Sequence, residues 1–393
     1  MHKQLYEYLE SNNLLSDCQY GFRKKRSTKL ATTLFCDTIR KKVNSGQMVG
    51  GLFLDLSKAF DTIGHSMLLK KLILYGINGP ELSWFSDYLF NRFQHVELNG
   101  FSSDSHHVSS GVPQGSILGP LLFITFFNDI KDNISKCDIF QYADDTVLLF
   151  ADKNIQTIED TLNEDMGNVG RYCEQNELLL NLKKGKTEVM LFGTSQRLRL
   201  HGRELNIVYN NTKINFVTEY IYLGNLLDNH LSLASNFDRS VRKASGRLRI
   251  LSNVRKSLTI EAATLIYQMM VLPILTYSST IKTCFTETQR RKLAAFERRA
   301  EKIVGKPVLP IIDVMEQHVC SLVLKCLHKE LCHESLDNYF ELQRNNKRTR
   351  NNNLCLKLPA LKLEIVRPGF YYGGAKLFND LSLQKRTLLL RGC

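Results

Sequence analysis

Apolar and polar positions divide this chain into short hydrophobic runs and longer segments of helical period. Val49-Gly50-Gly51-Leu52-Phe53-Leu54 is a continuous apolar run that ends at Asp55, the pattern of a strand buried on both faces. Two shorter runs, Asp138-Ile139-Phe140-Gln141 and Thr146-Val147-Leu148-Leu149-Phe150, flank Tyr142-Ala143-Asp144-Asp145. They predict a β-hairpin with the acids at its turn. Ile155, Ile158, Leu162, Val169 and Cys173 recur at helical spacing and predict a helix on the back of that sheet. Gly79-Pro80 predicts the start of a helix through Trp84 and Leu89, with Pro in its first turn. Asn99-Gly100 predicts a hairpin turn between residues 94–98 and a polar run ending at Val108. Residues 178–192 read as extended, and 281–305 as a charged helix. Tyr267, Leu272 and Ile274 continue a helical period that Pro273 breaks or kinks. The most apolar stretch, 117–127, is interrupted by Pro120 and then Asn128-Asp129, so it predicts a buried helix and no membrane span.

The acids bring in chemistry. Two adjacent carboxylates between buried strands are costly unless a cation neutralises them or the turn is solvated. Hard oxygen ligands suit Mg²⁺, and a Mg²⁺ pair can clamp a phosphoryl group in transit. Asp55, at the end of the apolar strand, is a third acid for such a site; it can equally cap a following helix. Between them lies Gly111-Val112-Pro113-Gln114-Gly115-Ser116-Ile117-Leu118-Gly119-Pro120. Pro and Gly define this loop's backbone, Ser116 can cap the helix after it, and Gln114 is then expected to face the cleft.

Taken together and in order, residues 53–61 (Phe-Leu-Asp-Leu-Ser-Lys-Ala-Phe-Asp), 111–120 and the Tyr-Ala-Asp-Asp of 142–145 resemble the reverse transcriptases of non-LTR retrotransposons of the LINE branch, Jockey and CR1 type. Gln19-Tyr20-Gly21-Phe22-Arg23 with Arg26-Ser27-Thr28 is similar to the fingers motif that precedes the palm. Asn181-Leu182-Lys183-Lys184-Gly185-Lys186-Thr187 is similar to the lysine motif, and Tyr222-Leu223-Gly224 with Asp228 to the primer-grip hairpin. The resemblance implies an α+β fold: a right-hand polymerase palm, an antiparallel sheet with packed helices, with partial fingers and a helical thumb. It implies partial fingers over 1–48, palm over 49–195, primer grip and thumb over 196–280, and a C-terminal helical region with a basic tail over 281–393.

The function implied is RNA-directed DNA polymerisation by two-metal phosphoryl transfer from dNTPs to a primer 3′-OH on an RNA template. Asp55, Asp144 and Asp145 would hold two Mg²⁺, for which Mn²⁺ can substitute. Phe60 takes the place of the steric gate that rejects a ribose 2′-OH, and Gln114 would line the incoming nucleotide. Arg23 and Arg26 would face the triphosphate or template. Their run, Arg23-Lys24-Lys25-Arg26, also reads as a solvated basic turn or a nuclear-import patch. Lys186 or Lys184 would protonate the pyrophosphate; the inserted Gly185 leaves both open.

Three departures stand out. Tyr142 replaces the more usual Phe, and Gly64 stands where the family usually has an acid. Met1 begins inside the fingers, so the expectation is an N-terminally truncated element product without an upstream nuclease. The alternative is a truncated product that only binds nucleic acid.

Composition adds a partner class. Lys and Arg number 52 against 39 Asp and Glu, a net charge of +13 that suits a polyanion. Basic residues Arg239, Arg242, Lys243, Arg247, Arg249, Arg255 and Lys256 would face a duplex. Ten cysteines without an apolar leader point to reduced thiols in nucleus or cytoplasm. The run His318, Cys320, Cys326, His328, Cys332 and His333 has no zinc-motif spacing and reads as helix packing. Residues 343–353 read as an exposed loop or linker.

Overall fold

The computed structural model describes residues 1–90, 92–331, 336, 339–343 and 354–391. Cys332, His333 and most of the expected linker, 344–353, lie outside the described residues. The chain opens with α1 (His2–Ser11), α2 (Thr28–Asn44), β1 (Met48–Leu54), α3 (His65–Leu74) and α4 (Gly79–Leu89). Four two-residue strands follow: β2 (Phe93–Gln94), β3 (Glu97–Leu98), β4 (Phe101–Ser102) and β5 (His106–His107). Next come α5 (Gly119–Phe126), β6 (Asp138–Tyr142), β7 (Asp145–Asp152), α6 (Ile155–Gln175), β8 (Glu188–Phe192) and α7 (Ser195–His201). Strands β9 (Val208–Tyr209), β10 (Thr212–Lys213), β11 (Asn215–Phe216), β12 (Glu219–Tyr222) and β13 (Asn225–Asp228) precede the C-terminal helices. These are α8 (Ala234–Val254), α9 (Ile260–Ile266), α10 (Leu272–Thr276), α11 (Glu287–Val304), α12 (Ile311–Leu327), α13 (Phe370–Asp380) and α14 (Leu383–Arg391).

The chain forms two compact units. The first comprises 1–28, 49–191 and 202–217. Its sheet has the order β11-β8-β1-β7-β6, so the all-buried β1 lies at the centre. The β6–β7 pair is antiparallel, as expected for the acidic hairpin. At the far edge β11 pairs with β8 in parallel, which makes the sheet mixed there. Asn154 caps α6 by accepting the Gln156 N–H, and Ile158, Leu162, Met166 and Val169 are buried along its length. Every residue of α5 except Pro120 is buried, which accounts for the apolar run. Asn99 and Gly100 both have positive φ, the pattern of a I′ hairpin turn. Residues 178–187 are irregular where extended structure was expected, and only Glu188–Phe192 is a strand. The lysine segment turns back on itself instead, with the Lys186 N–H donating to Lys183 O at 3.1 Å.

The second unit comprises 29–48, 192–201 and 218–393. Residues 1–48, grouped together on sequence, thus divide after Thr28. Its core joins Phe237, Leu248 and Leu251 of α8 to Tyr267, Leu275, Leu293, Phe296 and Ile311. Pro273 does not end the helix there. A π-helical turn over Tyr267–Val271 absorbs the missing N–H, and α10 continues beyond it. Arg255 is no part of a free basic face: its guanidinium donates to Ile303 O, Val304 O and Leu258 O, capping the end of α11. No helix among the described residues is long and apolar enough to cross a membrane.

The C-terminal Arg367-Pro368-Gly369-Phe370 gains a physical role within this unit. Buried Asp37 of α2 accepts the Phe370 N–H at 3.0 Å, the Tyr371 N–H at 2.6 Å and the Tyr339 hydroxyl at 2.8 Å. Its carboxylate therefore caps the first turn of α13, with Arg40 3.5 Å away as counter-ion. Lys41 Nζ lies 4.0 Å from both the Tyr339 and Tyr371 ring centres. Asp37→Ala would leave Arg40 buried without its counter-ion and free the start of α13. Urea unfolding should show a loss of about 3–5 kcal/mol.

Candidate active site

Asp55 stands where β1 leaves the sheet. It caps no helix, because α3 begins only at His65. The 181–187 segment wraps the strand end instead. Asp55 N donates to Thr187 Oγ1 at 3.2 Å, and Asp55 O accepts the Asn181 N–H at 2.8 Å. Its carboxylate accepts from Asn181 Nδ2 at 2.9 Å on one oxygen and from Lys186 Nζ at 3.3 Å on the other. Of the two candidate lysines, both exposed, Lys186 is the one paired with this carboxylate.

Asp144 and Asp145 follow from the hairpin register. Tyr142 pairs with Asp145, so Ala143 and Asp144 form a two-residue turn. Burial raises the Asp144 carboxyl above the usual carboxylate range; its own backbone N–H and Lys186 oppose this, and the Asp55 charge adds to it. Asp145 is solvent-accessible as a residue, yet protein crowding around its carboxyl pushes it up to about 6. The charges of Asp144 and then Asp55 push in the same direction, against Lys186. Asp144 and Asp145 therefore both feel the charge of Asp55.

A cation would reverse that repulsion, and three carboxylates are the donor set a hard divalent ion takes. The acids are not drawn together into a ready coordination cluster: no such group of three occurs among the described residues. Lys186 places a positive charge 3.3 Å from Asp55.

Phe60 and Gln114 share one wall. The half-buried Phe60 ring stacks on Phe123 at 4.3 Å and meets the edge of Phe22 at 6.2 Å. Phe60 O accepts the Val112 N–H at 2.9 Å, and Gln114 Nε2 donates to Asp61 Oδ1 at 2.7 Å. Gly111, at φ +86°, makes this closure possible, since a Cβ there would lie 2.8 Å from Asp61 Cα and O.

Arg23 and Arg26 depart from the expectation that they meet a triphosphate. Both are buried. Arg23 grips Glu10 with two nitrogens, at 2.9 and 2.7 Å, and donates to Ser16 O at 2.7 Å. Arg26 pairs with Asp17 and donates to Asp17 O at 2.7 Å and Gln19 O at 3.1 Å. A guanidinium taken out of water needs partners for its donors, and nearby carboxylates and carbonyls take most of them, though the buried Arg26 Nε has none.

A family model described as reverse transcriptase (RNA-dependent DNA polymerase) matches residues 1–225, which include every residue named above in this site. The chain belongs to the reverse transcriptase family. Its relatives include the RNA-directed DNA polymerase from mobile element jockey of Drosophila melanogaster, 26% identical over 74% of this chain and 32% of that protein. The probable RNA-directed DNA polymerase from transposon BS of the same organism is 24% identical over 77% of this chain and 34% of that one. The chain thus spans about a third of the length of the curated relatives it matches. Among solved structures, apo telomerase from Candida tropicalis aligns over 85% of this chain and 59% of that chain, at 9% identity and a TM-score of 0.43. That likeness carries no part of the assignment.

Local sequence patterns did not single out Asn181, Thr187, Asp61 and Gln19 as site residues. Each lies inside a quoted motif or beside one. Their partners are distant: 126 positions separate Asn181 from Asp55, and 124 separate Gln19 from Ala143.

The raised Asp145 carboxyl has a consequence for stability. In metal-free buffer above pH 6 its charge costs the folded state, and the cost disappears as pH falls through about 6 towards the ordinary value of 3.8. Asp145→Asn should therefore unfold later than wild type at pH 8 in chelator, by about 1 kcal/mol once solvent screening is allowed for. The gain should shrink towards zero near pH 4, as read by thermal melts across pH.

Proposed function

We propose that the chain is the polymerising core of a retrotransposon RNA-directed DNA polymerase, extending a DNA primer along an RNA template with dNTPs. One observation supports this most: Asp55, from a distant strand end and paired with Lys186, acts on the charges of the hairpin acids Asp144 and Asp145. A lone solvated Asp-Asp turn would not recruit a third acid from a central strand.

Asp55, Asp144 and Asp145 would hold two Mg²⁺, or Mn²⁺ in their place, which would activate the primer 3′-OH and neutralise the transferring phosphate. The residues of the chain do the rest. Asn181 orients Asp55 through its carboxylate and backbone together. Lys186 is the residue we assign to protonate the departing pyrophosphate. Phe60, backed by Phe123, offers a flat wall that excludes a 2′-OH by shape. Gln114 and Asp61 shape the nucleotide side of that wall. With Arg23 and Arg26 occupied, triphosphate contact falls to other groups. On the second unit, the exposed Arg242, Lys243, Arg247 and Arg249 of α8 suit a polyanionic duplex backbone.

Primer extension on an RNA template tests the assignment. Asp144→Asn should lower extension by on the order of 10³-fold while primer–template affinity stays within about threefold. Equal extension by the variant would overturn the assignment. Phe60→Val should raise ribonucleotide incorporation relative to deoxynucleotide by about 10–100-fold in kcat/KM, measured in single-nucleotide competition.

A further inference from the structure

We propose that Gln19 is a positioning residue for the acidic hairpin: its side-chain amide clamps the backbone of Ala143 and so sets where Asp144 and Asp145 stand relative to Asp55. The inference rests on the reading of these acids as the reactive centre, and it goes beyond that reading in assigning what holds them.

The turn needs a clamp. Ala143 has φ +56° at the first position of a two-residue hairpin turn, and no positive φ occurs at Asp144. This sign pattern matches a II′ turn, which favours Gly at that position. An alanine there is strained by on the order of 1 kcal/mol. Its N–H and C=O also lie beyond the last ladder pair, so strand pairing does not fix them.

Gln19 meets each of these needs. Its Oε1 accepts the Ala143 N–H at 2.9 Å, and its Nε2 donates to Ala143 O at 3.2 Å. One amide thus satisfies both backbone groups of the strained residue. The Gln19 side chain is itself fixed. It is 2% exposed, and the same Oε1 accepts the Gly21 N–H at 2.7 Å. Tyr20 N donates to Gln141 O at 2.8 Å, and Gln141 N donates to Cys18 O at 2.9 Å, which docks the loop alongside β6. The Tyr20 ring stacks over Phe140. At Gly21 a Cβ would overlap Ala143 N, so the approach admits only glycine.

The two arginines then acquire a role. Arg23 ties the loop to Glu10 and Ser16, and Arg26 ties Asp17 to Gln19 O. They stiffen the loop that carries the clamp. Phe22, between Gly21 and Arg23, meets the edge of Phe60, so the same loop braces the nucleotide wall.

The test compares wild type, Gln19→Met, Gln19→Glu and a control, Leu72→Ala, whose buried side chain in α3 takes no part in these bonds. Gln19→Met keeps the side chain's length and removes donor and acceptor. Binding of Mn²⁺ alone, read by electron paramagnetic resonance, should weaken about tenfold, and kcat for extension should fall about 10–100-fold, while KM for dNTP and primer–template affinity change less than about threefold. Amide exchange at Ala143 should speed up in Gln19→Met and recover in part in Gln19→Glu, which keeps the acceptor. Unchanged Mn²⁺ affinity and Ala143 exchange in Gln19→Met would overturn the clamp. So would equal losses in Leu72→Ala, because general destabilisation would then explain both. The exchange readout does not depend on catalysis. A wild type that protects Ala143 but extends no primer would sink the polymerase reading and leave the clamp standing.

Discussion

Repulsion of Asp144 and Asp145 by the Asp55 charge is the constraint that the supports of the acidic rim answer. Acids that crowd one another on a partly buried surface cost folding energy unless something holds them. Here the holding groups come from three directions. Lys186 supplies charge, Asn181 and Thr187 fix the end of β1, and Gln19 fixes the turn of the hairpin. A bound cation would relieve the repulsion, whereas the apoprotein bears it as strain. The raised Asp145 carboxyl is where that cost shows.

The supports are apolar below and polar at the rim. The wholly buried β1 cannot shift without exposing its seven residues, so Asp55 inherits the rigidity of the sheet. Antiparallel pairing of β6 with β7 brings Asp144 and Asp145 to one turn, but a two-residue turn in a strained conformation is a weak anchor by itself. The loops that reach the rim carry few apolar residues to pack. They rely on hydrogen bonds between side chains and backbone, which are directional and so set position more sharply than burial does.

Net positive charge does not translate into free positive side chains. Arg23, Arg26 and Arg255 turn donors onto nearby carboxylates and carbonyls, and Arg40 is buried beside Asp37. The exposed cations of α8 are of another kind, with charged heads in water and no buried partner required. A count of basic residues points to a polyanionic partner while overstating how many residues can meet it.

The sequence by itself determined the apolar strand, the acidic hairpin, the α6 amphipathic helix and the family, because these depend on local periodicity or on motifs a few residues long. Asp55, Asp144 and Asp145 were legible for that reason. Tertiary structure alone decided the partners. It set Lys186 beside Asp55, turned Arg23 and Arg26 inward and brought Gln19 onto Ala143. It also joined α2 to the C-terminal tail through Asp37, a pairing 333 positions apart. Contacts at such separations leave no periodic trace along the chain. A polar side chain's role depends on which donor or acceptor the fold delivers to it, and only the folded backbone specifies that.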